Sequence, residues 1–231
     1  MILALIQARM NSRRLPGKSM ALIEDVPLIE HVIRRVQAAK LVTDICVCVS
    51  DNTADDPLVA HVESLGVDVY RGSEDDVLAR LYWAAERYPG ANPIVRITAD
   101  DPFKDPELID YTLMGFLAEW SDPDEEIGAC HYMMLGGVTW PTGLGVEVFS
   151  RGALETAHKG AVMAEEREHV TPFMGRAFHT WVLKNPHEHG NINMRWTIDT
   201  PEELEFAREV YAKLYAADPV FGYAAMRSAG Y

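Results

Sequence analysis

Short apolar runs and amphipathic stretches alternate along the first 120 residues of the chain. The apolar runs predict buried strands over residues 2–8, 44–50, 67–70 and 93–98. Apolar residues at helical spacing follow each run, and the predicted helices cover residues 28–36, 53–65, 73–88 and a segment that begins at Asp105-Pro106. Four strand–helix units in succession predict a largely parallel sheet with helices on both faces. We therefore expect an α/β fold with a Rossmann-like, three-layer core.

The regular alternation ends after residue 120. Residues 127–149 predict extended segments with glycine turns, residues 152–160 and 165–176 predict short helices, and residues 193–199 predict a returning strand. Thr200-Pro201-Glu202-Glu203 combines an N-cap, a proline at the first helical position and a glutamate at the third, so the last helix begins there. We predict a single domain made of a core (1–120), an inserted smaller lobe (121–190) and a return segment (191–231).

The balance of charge limits the partners that the chain can have. It carries 35 aspartate and glutamate residues against 21 lysine and arginine residues, which gives a net charge of −14. A surface this acidic repels phosphate backbones and anionic lipid, which argues against nucleic acid and membrane partners. No stretch reaches the roughly 20 apolar residues that a membrane span requires. The three cysteines are few and odd in number, as is typical of free thiols in a reducing, cytoplasmic setting.

One loop departs from this acidic character. The segment QARMNSRRLPGK follows the first strand and contains Arg9, Arg13, Arg14 and Lys18, with no acidic residue before Glu24. Ligands bind beyond the carboxyl ends of strands in such sheets, and arginine and lysine side chains match phosphate oxygens. The loop is a candidate site for a polyanion, although a solvated basic loop would have the same composition. It is not a Walker A loop, because the GxxxxGK[ST] pattern is missing.

Carboxylates follow two other predicted strands. Asp100 and Asp101 come directly after the strand over 93–98, and Asp199 lies at the end of the strand over 193–199. Carboxylate oxygens bind Mg²⁺, a hard cation that bridges phosphates, and Asp199 would complete a metal site with Asp100. A turn before Pro102 and helix capping are the alternative roles of these aspartates.

Six segments carry a resemblance to a known family: QARMNSRRLPGK, RGSEDDVLAR, VRITADDP, GLGVEVFS, EREHVTPF and TIDTPEEL. In this order they resemble the cytidylyltransferase family that includes the spore-coat polysaccharide biosynthesis proteins. That family is related more distantly to CMP-Kdo and CMP-sialic acid synthetases. The resemblance runs from residue 2 to about residue 215 and covers nearly the whole chain.

The resemblance implies a nucleotidyltransferase fold, usually homodimeric, that transfers CMP from CTP to an acidic sugar or sugar-like acceptor and releases pyrophosphate. The product would serve surface polysaccharide or glycoconjugate biosynthesis. The resemblance also implies the catalytic residues Arg9, Lys18, Asp100 and Asp199, with Asp100 and Asp199 as the ligands of Mg²⁺. The residues expected to contact CTP are Gln7, Ala8, Arg9, Arg14, Lys18, Arg71, Ser73 and Asp100. The residues expected to contact the acceptor lie in the inserted lobe and are Glu147, Arg167 and His169.

Three positions depart from the family pattern. Thr197 stands where the sialic-acid enzymes have aspartate, Gly145 stands where this family commonly has aspartate, and Ala99 stands where glycine is usual. Two other functions stay open. A glycosyltransferase that uses a nucleotide-sugar would usually carry Asp-x-Asp after the fourth strand, whereas the aspartates here are adjacent. A nucleotide-binding protein without catalysis is the second alternative, and the retained lysine and aspartates argue against it.

Overall fold

The computed structural model describes residues 1–120, 131–136, 139–186 and 193–231. In chain order, the strands are β1 Leu3–Gln7, β2 Leu22–Ile23, β3 Val26–Pro27, β4 Asp44–Ser50, β5 Asp68–Gly72, β6 Ile94–Thr98, β7 Tyr132–Leu135, β8 Val146–Phe149 and β9 Thr180–Leu183. The α-helices are α1 Leu28–Ala38, α2 Asp56–Ser64, α3 Val77–Glu86, α4 Pro106–Glu119, α5 Arg151–Gly160, α6 Ala164–His169, α7 Pro172–Ala177, α8 Pro201–Leu214 and α9 Tyr223–Ser228.

Seven of these strands form one mixed sheet in the order β5-β4-β1-β6-β8-β7-β9. β5, β4, β1 and β6 are parallel, as the four strand–helix units predict. β8 is antiparallel to both β6 and β7, and β9 is parallel to β7. The described strands of the predicted lobe, β7 to β9, thus extend the central sheet. The carboxyl ends of β1 and β6 lie side by side, with Gln7 opposite Thr98.

Both faces of the sheet are covered by helices. In β1, Leu3 and Leu5 pack in a cluster with residues of α3, α5 and α7, whereas Ala4 and Ile6 pack with residues of α1, α2, α4 and α8. All four side chains are fully buried. A strand buried on both faces appears in the sequence as a continuous apolar run, and the three-layer α/β fold is confirmed.

Two predicted helix starts are confirmed. Asp105 caps α4 by accepting a hydrogen bond from the backbone N–H of Glu107, with Pro106 at the first helical position. At α8, the Thr200 hydroxyl accepts from the N–H of Glu203, and the Glu203 carboxylate accepts from the N–H of Thr200. This capping box satisfies two backbone donors at the helix start and holds α8 directly after Asp199.

For the helix predicted over residues 73–88, Ser73 is the expected N-cap, and this expectation is wrong. The helix begins at Val77, and its cap is Asp76, whose carboxylate accepts from the N–H of Ala79. The hydroxyl of Ser73 instead accepts from the N–H of Asp76 in the preceding turn. Serine and aspartate are both good caps, so the sequence pattern does not separate them.

The predicted strand over residues 193–199 is also wrong. This segment forms one isolated bridge, between Thr142 and Arg195, and pairs with none of the described strands. The N–H of Trp196 donates to the Thr142 carbonyl at 2.7 Å. Gly143 permits this approach, because its φ is +108° and a Cβ there would lie 2.7 Å from the carbonyl carbon of Trp196. Trp196, Thr197 and Ile198 are all buried, so the segment is packed in the interior like a strand but lacks the pairing of one.

The apolar pattern did not predict β9, the β2–β3 hairpin or α9. Each of these elements is six residues long or shorter, so each gives little periodic signal. None of the described helices combines the length and apolar character needed to cross a membrane. Cys46 and Cys48 are buried free thiols, and Cys130 lies outside the described residues.

Candidate active site

A first cavity of about 430 Å³ lies beyond the carboxyl ends of β1 and β6. Its lining includes three carboxylates, those of Asp100, Glu168 and Asp199. The cationic residues in its lining are Arg9, Arg13, Arg14, Lys18, Arg80 and Arg96. In a protein with a net charge of −14, such an excess of positive charge in one cavity favours an anionic ligand.

The backbone of the loop after β1 is held by its neighbours. The N–H of Met10 donates to Oδ1 of Asp55 at 2.7 Å, and the hydroxyl of Ser19 donates to the Arg9 carbonyl at 2.9 Å. Asp55 is fully buried and also accepts from the N–H of Ser50. Because the backbone is anchored in this way, the basic side chains of the loop are left to line the cavity.

Lys18 joins the two predicted metal ligands. Its Nζ donates to Oδ2 of Asp100 at 2.8 Å and to Oδ1 of Asp199 at 3.0 Å. It also donates to the carbonyl oxygen of Ile198 at 3.0 Å. Burial lowers the pKa of Lys18, but the charges and hydrogen bonds of the two aspartates outweigh burial and raise the pKa above its usual value. The lysine is therefore held as a cation between two carboxylates.

Asp199 is surrounded by positive charge. Besides Lys18, it forms ion pairs with Arg14, at 2.7 Å from Oδ2, and with Arg195. Burial raises its pKa, but the hydrogen bond from Lys18 and the three cations outweigh burial and hold the pKa below its usual value. Its side chain is 15% exposed. Asp199 is thus an ionised carboxylate that organises the cations of two separate segments.

The adjacent aspartates have different surroundings. Oδ2 of Asp101 accepts from Nζ of Lys104 at 3.0 Å and from the hydroxyl of Thr98, and the Lys104 side chain is fully buried. Burial raises the pKa of Asp101, and Lys104 opposes that rise. Asp101 is consequently a buried ion-pair partner, and Asp100 is the aspartate of this pair that contacts Lys18.

A second cavity of about 440 Å³ adjoins the first. The two cavities share four lining residues, which are Arg96, Thr98, Asp100 and Asp199. The second cavity is also lined by Trp140, Thr142, Gly145, Glu147, Arg195 and Thr197. Two compartments thus meet at the carboxylates that Lys18 bridges. Both Thr197 and Gly145, which depart from the family pattern, lie in the second compartment.

Arg96 connects three strands at this junction. Its Nε donates to Oε1 of Gln7 at 2.9 Å, and its Nη1 donates to Glu147, which lies opposite it on β8. Glu147 also accepts from the hydroxyls of Tyr132 at 2.8 Å and Thr171 at 2.7 Å. Burial raises the pKa of Glu147, but Arg96 and these hydrogen bonds outweigh burial and lower it. The side chain is a fixed anion on the wall of the second cavity.

The three residues predicted to contact the acceptor do not lie together. Glu147 lines the second cavity, and His169 lines the first. Arg167 lines neither, because its guanidinium bonds to the carboxylate of Asp76, at 2.9 Å from Nε, and to the His158 carbonyl at 2.7 Å. Arg167 therefore ties α6 to the start of α3.

Only some of the residues predicted to contact the nucleotide lie together. Gln7, Ala8, Arg9, Arg14, Lys18 and Asp100 line the first cavity. Arg71 and Ser73 line neither cavity. Arg71 donates to the carbonyls of Ser50 and Asn52 and to the carboxylate of Asp56, and it thereby ties β5 to the segment before α2.

Sequence reasoning missed three arginines of the site. Arg80 and Arg96 line the first cavity, and Arg195 lines the second. Arg96 lies within the VRITADDP motif, four residues before Asp100, and Arg195 lies four residues before Asp199. Arg80 ends the RGSEDDVLAR motif, and its spacing of three from Val77 places both on one face of α3.

Comparisons with known proteins bear on what this site does. The sequence model of the cytidylyltransferase family matches residues 3–222. The spore coat polysaccharide biosynthesis protein SpsF of Bacillus subtilis is 31% identical over 220 residues, which cover 92% of this chain and 87% of that protein. A 3-deoxy-manno-octulosonate cytidylyltransferase of Geobacter sulfurreducens is 37% identical over 111 residues, or 47% of this chain and 42% of that one.

Among solved structures, a cytidylyltransferase from Leptospira borgpetersenii serovar Hardjo-bovis has a TM-score of 0.87 to this chain. The two are 27% identical in sequence, and the match covers 99% of this chain and 93% of the other. The similarity therefore extends over the whole sheet and both cavities.

Proposed function

The chain belongs to the cytidylyltransferase family, and we propose that it transfers CMP from CTP to an acidic sugar or sugar-like acceptor, with release of pyrophosphate. The product would serve surface polysaccharide or glycoconjugate biosynthesis, in keeping with the name of the SpsF relative. The observation that carries the proposal is the meeting of two cavities at Asp100 and Asp199. A transferase must bring two substrates together at one reacting centre. Two adjoining cavities would bind one substrate each and bring them together at these carboxylates.

The first cavity suits the nucleotide. Six cationic residues against three carboxylates match the charge of a triphosphate. The loop that contributes four of the six is anchored through its backbone, so it is already ordered for binding. The preference for cytosine rests on the family alone.

The second cavity suits the acceptor. Its volume of about 440 Å³ is that of a small-molecule site. Arg96 and Arg195 are its cationic residues and would contact an acidic group beside the carboxylates that they already pair with, and Thr142, Thr197 and Glu147 can bond sugar hydroxyls. The octulosonate named for the Geobacter relative is an acidic sugar of this kind.

The carboxylates at the junction fit Mg²⁺. Asp100, Asp199 and the Ile198 carbonyl are hard oxygen donors, and all three lie within 3.0 Å of Lys18 Nζ, so they converge on one point. The described residues contain no group of three or more acidic, histidine or cysteine side chains that could hold a metal, so water and phosphate oxygens would complete the coordination. When bound, Mg²⁺ would offset phosphate charge and act as a Lewis acid at a phosphoryl oxygen.

The remaining steps fall to the residues of the chain. The acceptor hydroxyl releases its proton to water, a bond forms between its oxygen and the α-phosphorus, and the bond from that phosphorus to the bridging oxygen of the β-phosphate breaks. The pyrophosphate that leaves takes the electron pair, and Arg9, Arg14 and Lys18 line the cavity in which that charge develops. Asp199 holds Arg14 and Lys18 in place. Catalysis of this kind is positioning and electrostatics, and it requires no protein nucleophile.

The decisive experiment measures pyrophosphate release. The purified protein is assayed with Mg²⁺ and each of CTP, ATP, GTP and UTP against a panel of acidic sugars, and the CMP conjugate is identified by mass spectrometry. We expect release with CTP and an acidic acceptor. In a parallel assay with a nucleotide-sugar, sugar transfer without release of pyrophosphate would instead support a glycosyltransferase. Nucleotide binding without turnover would support a non-catalytic protein. Sedimentation would test the homodimer, and localisation in cells would test the cytoplasmic assignment.

A further inference from the structure

Arg80 is a buried arginine on the wall of the first cavity. It lies on α3, one helical turn after Val77, and both residues line the cavity. The residue is 2% exposed. An arginine is rarely buried to this degree unless it is paired, so its partners need to be accounted for.

The protein supplies Arg80 with few partners. Nη1 donates to the Ser73 carbonyl at 2.9 Å, whereas Nε is buried and has no hydrogen-bond partner among the described residues. No carboxylate of the described chain lies within ion-pair distance of its guanidinium. The two nearby carboxylates are engaged elsewhere: Asp55 accepts from Met10 and Ser50, and Glu74 accepts from the side chains of Asn11 and Asn52. Arg80 is thus a buried cation without a direct ion-pair partner among the described residues.

Arg96 shows the contrast within the same cavity. It is also largely buried, but it has a carboxylate partner in Glu147 and an amide partner in Gln7. Removing a cation from water without compensation is costly, and burial lowers the pKa of Arg80 accordingly. A fold that retains such a group beside a cavity leaves its pairing to a ligand.

The RGSEDDVLAR motif holds Arg80 in this position. A Cβ at residue 72 would lie 3.1 Å from Cγ of Arg80, so Gly72 leaves room for the arginine stem. Ser73 provides the one backbone acceptor, and Asp76 caps the helix that carries Arg80. Gly72, Ser73 and Asp76 therefore all help to position Arg80.

We infer that Arg80 binds phosphate oxygens of the nucleotide, as a phosphate ligand additional to the basic loop after β1. The inference rests on the proposed function for the identity of the nucleotide. Its chemistry requires only a polyphosphate anion, since the cavity already gathers the cations Arg9, Arg13, Arg14 and Lys18. Arginine suits this role because its planar fork can bond two phosphate oxygens at once.

The test compares Arg80→Met and Arg80→Lys with the wild type by calorimetry, with CTP, cytidine and inorganic tripolyphosphate as the ligands. Arg80→Met should raise the Kd of CTP and of tripolyphosphate at least tenfold and leave cytidine unchanged. The melting temperature without ligand should be unchanged or higher, because the variant removes an unpaired buried charge. Arg80→Lys keeps the charge without the fork, so it should give an intermediate loss. Arg87→Met removes an exposed cation from the end of the same helix, and both Kd values should stay within twofold of the wild type.

The outcomes separate this inference from the proposed function. Unchanged Kd values in Arg80→Met and Arg80→Lys would overturn the inference, as would a lower melting temperature with normal binding, which marks a structural arginine. Weaker binding of CTP and cytidine with normal tripolyphosphate binding would place Arg80 at the base or ribose and would also overturn it. If the wild type binds all four nucleoside triphosphates equally, the proposed function fails, and the tripolyphosphate result still decides the role of Arg80.

Discussion

Nζ of Lys18 lies 2.8 Å from Oδ2 of Asp100, although 82 residues separate them in the chain. The same Nζ reaches Asp199 at 3.0 Å. Two carboxylates this close repel each other unless a cation or a proton lies between them. Here the cation is part of the protein, so a divalent ion that binds Asp100 and Asp199 must share the pair with Lys18 or displace it.

The first prediction is that replacing Lys18 has opposite effects on turnover and on the affinity for Mg²⁺. Lys18→Met keeps a long, unbranched side chain and removes the ammonium. We expect turnover with CTP to fall about a hundredfold or more, because the variant loses a cation at the site where charge develops. The affinity for Mg²⁺ should rise, since Asp100 and Asp199 lose their counter-charge. Single-turnover kinetics and a Mg²⁺ titration measure the two effects.

Lys159 provides the matched control. It is an exposed lysine on α5 whose ion pair with Glu155 lies within one helix, so Lys159→Met removes the same charge far from the cavities and should turn over as the wild type does. Normal rates in Lys18→Met would show that Lys18 only pairs with the two aspartates and takes no part in turnover.

A second prediction concerns the residues expected to contact the acceptor. Glu147→Gln should raise the KM of the acceptor about tenfold, because a bond to a charged carboxylate is lost, and should change the KM of CTP less than twofold. His169→Ala should raise the KM of CTP and leave the KM of the acceptor unchanged, since His169 lines the first cavity. Steady-state kinetics with each substrate varied measure both effects. If His169→Ala instead raised only the KM of the acceptor, the assignment of the first cavity to CTP and the second to the acceptor would be wrong.

Arg167→Met serves as the structural comparison for that experiment. The variant breaks a partly exposed ion pair with Asp76, so stability should fall by about 1 kcal/mol. That change corresponds to a melting temperature lower by about 2–4 °C, with both KM values near those of the wild type.

Much of this site could be predicted from the sequence, because most of its residues lie at the ends of strands and at the starts of helices. The basic loop and Asp100 each follow a buried apolar run, and Asp199 precedes a strong capping box. Parallel topology then brings the ends of β1 and β6 to one edge of the sheet. The family resemblance is confirmed by the match over residues 3–222, and the fold follows from the same local signals.

The direction in which side chains point on short helices could not be predicted from the sequence. Arg167 and His169 are two residues apart on α6, which turns them about 200° from each other, so one meets Asp76 and the other lines a cavity. The role of Arg80 was missed because its burial without a direct ion-pair partner becomes visible only when the positions of the neighbouring carboxylates are known. The segment over 193–199 shows the converse error, since buried apolar residues such as Trp196 and Ile198 occur in a segment that packs against a loop as well as in a sheet.

A third prediction concerns stability and pH. His31 is buried, and its Nε2 lies 2.8 Å from the Ile23 carbonyl. Burial, aided by the charges of Arg35 and Arg34, lowers the pKa of His31 from 6.5 to about 4. Between these values the unfolded chain binds a proton that the folded protein does not, so stability falls as pH falls. The free energy of unfolding in urea should therefore lose about 2 kcal/mol between pH 7 and pH 5 through this residue.

His31→Gln isolates that contribution, because the amide can still donate to the Ile23 carbonyl but does not titrate. The difference in unfolding free energy between wild type and variant should depend on pH between 7 and 5, with the variant losing less. A difference that stays constant over this range would mean that His31 titrates alike in the folded and unfolded states.

The last prediction concerns Asp100 and Asp199, and the adjacent Asp101 is its comparison. Asp101→Asn breaks a buried pair with Lys104, so it should lower the melting temperature while any remaining turnover still depends on Mg²⁺. Asp100→Asn and Asp199→Asn instead remove proposed metal ligands at the junction of the cavities. Each should reduce Mg²⁺-dependent turnover about a hundredfold or more while the protein remains folded.

Asp199→Asn should also cost some stability, because it leaves Lys18, Arg14 and Arg195 without their shared carboxylate. The double variant decides whether the two aspartates act together. Residues that hold one ion fail as a unit, so Asp100→Asn combined with Asp199→Asn should be little slower than either single variant. Independent roles would instead multiply the two losses. A crystal structure with CTP and Mg²⁺ in which the ion contacts neither side chain would refute the metal site, whatever the rates of the variants.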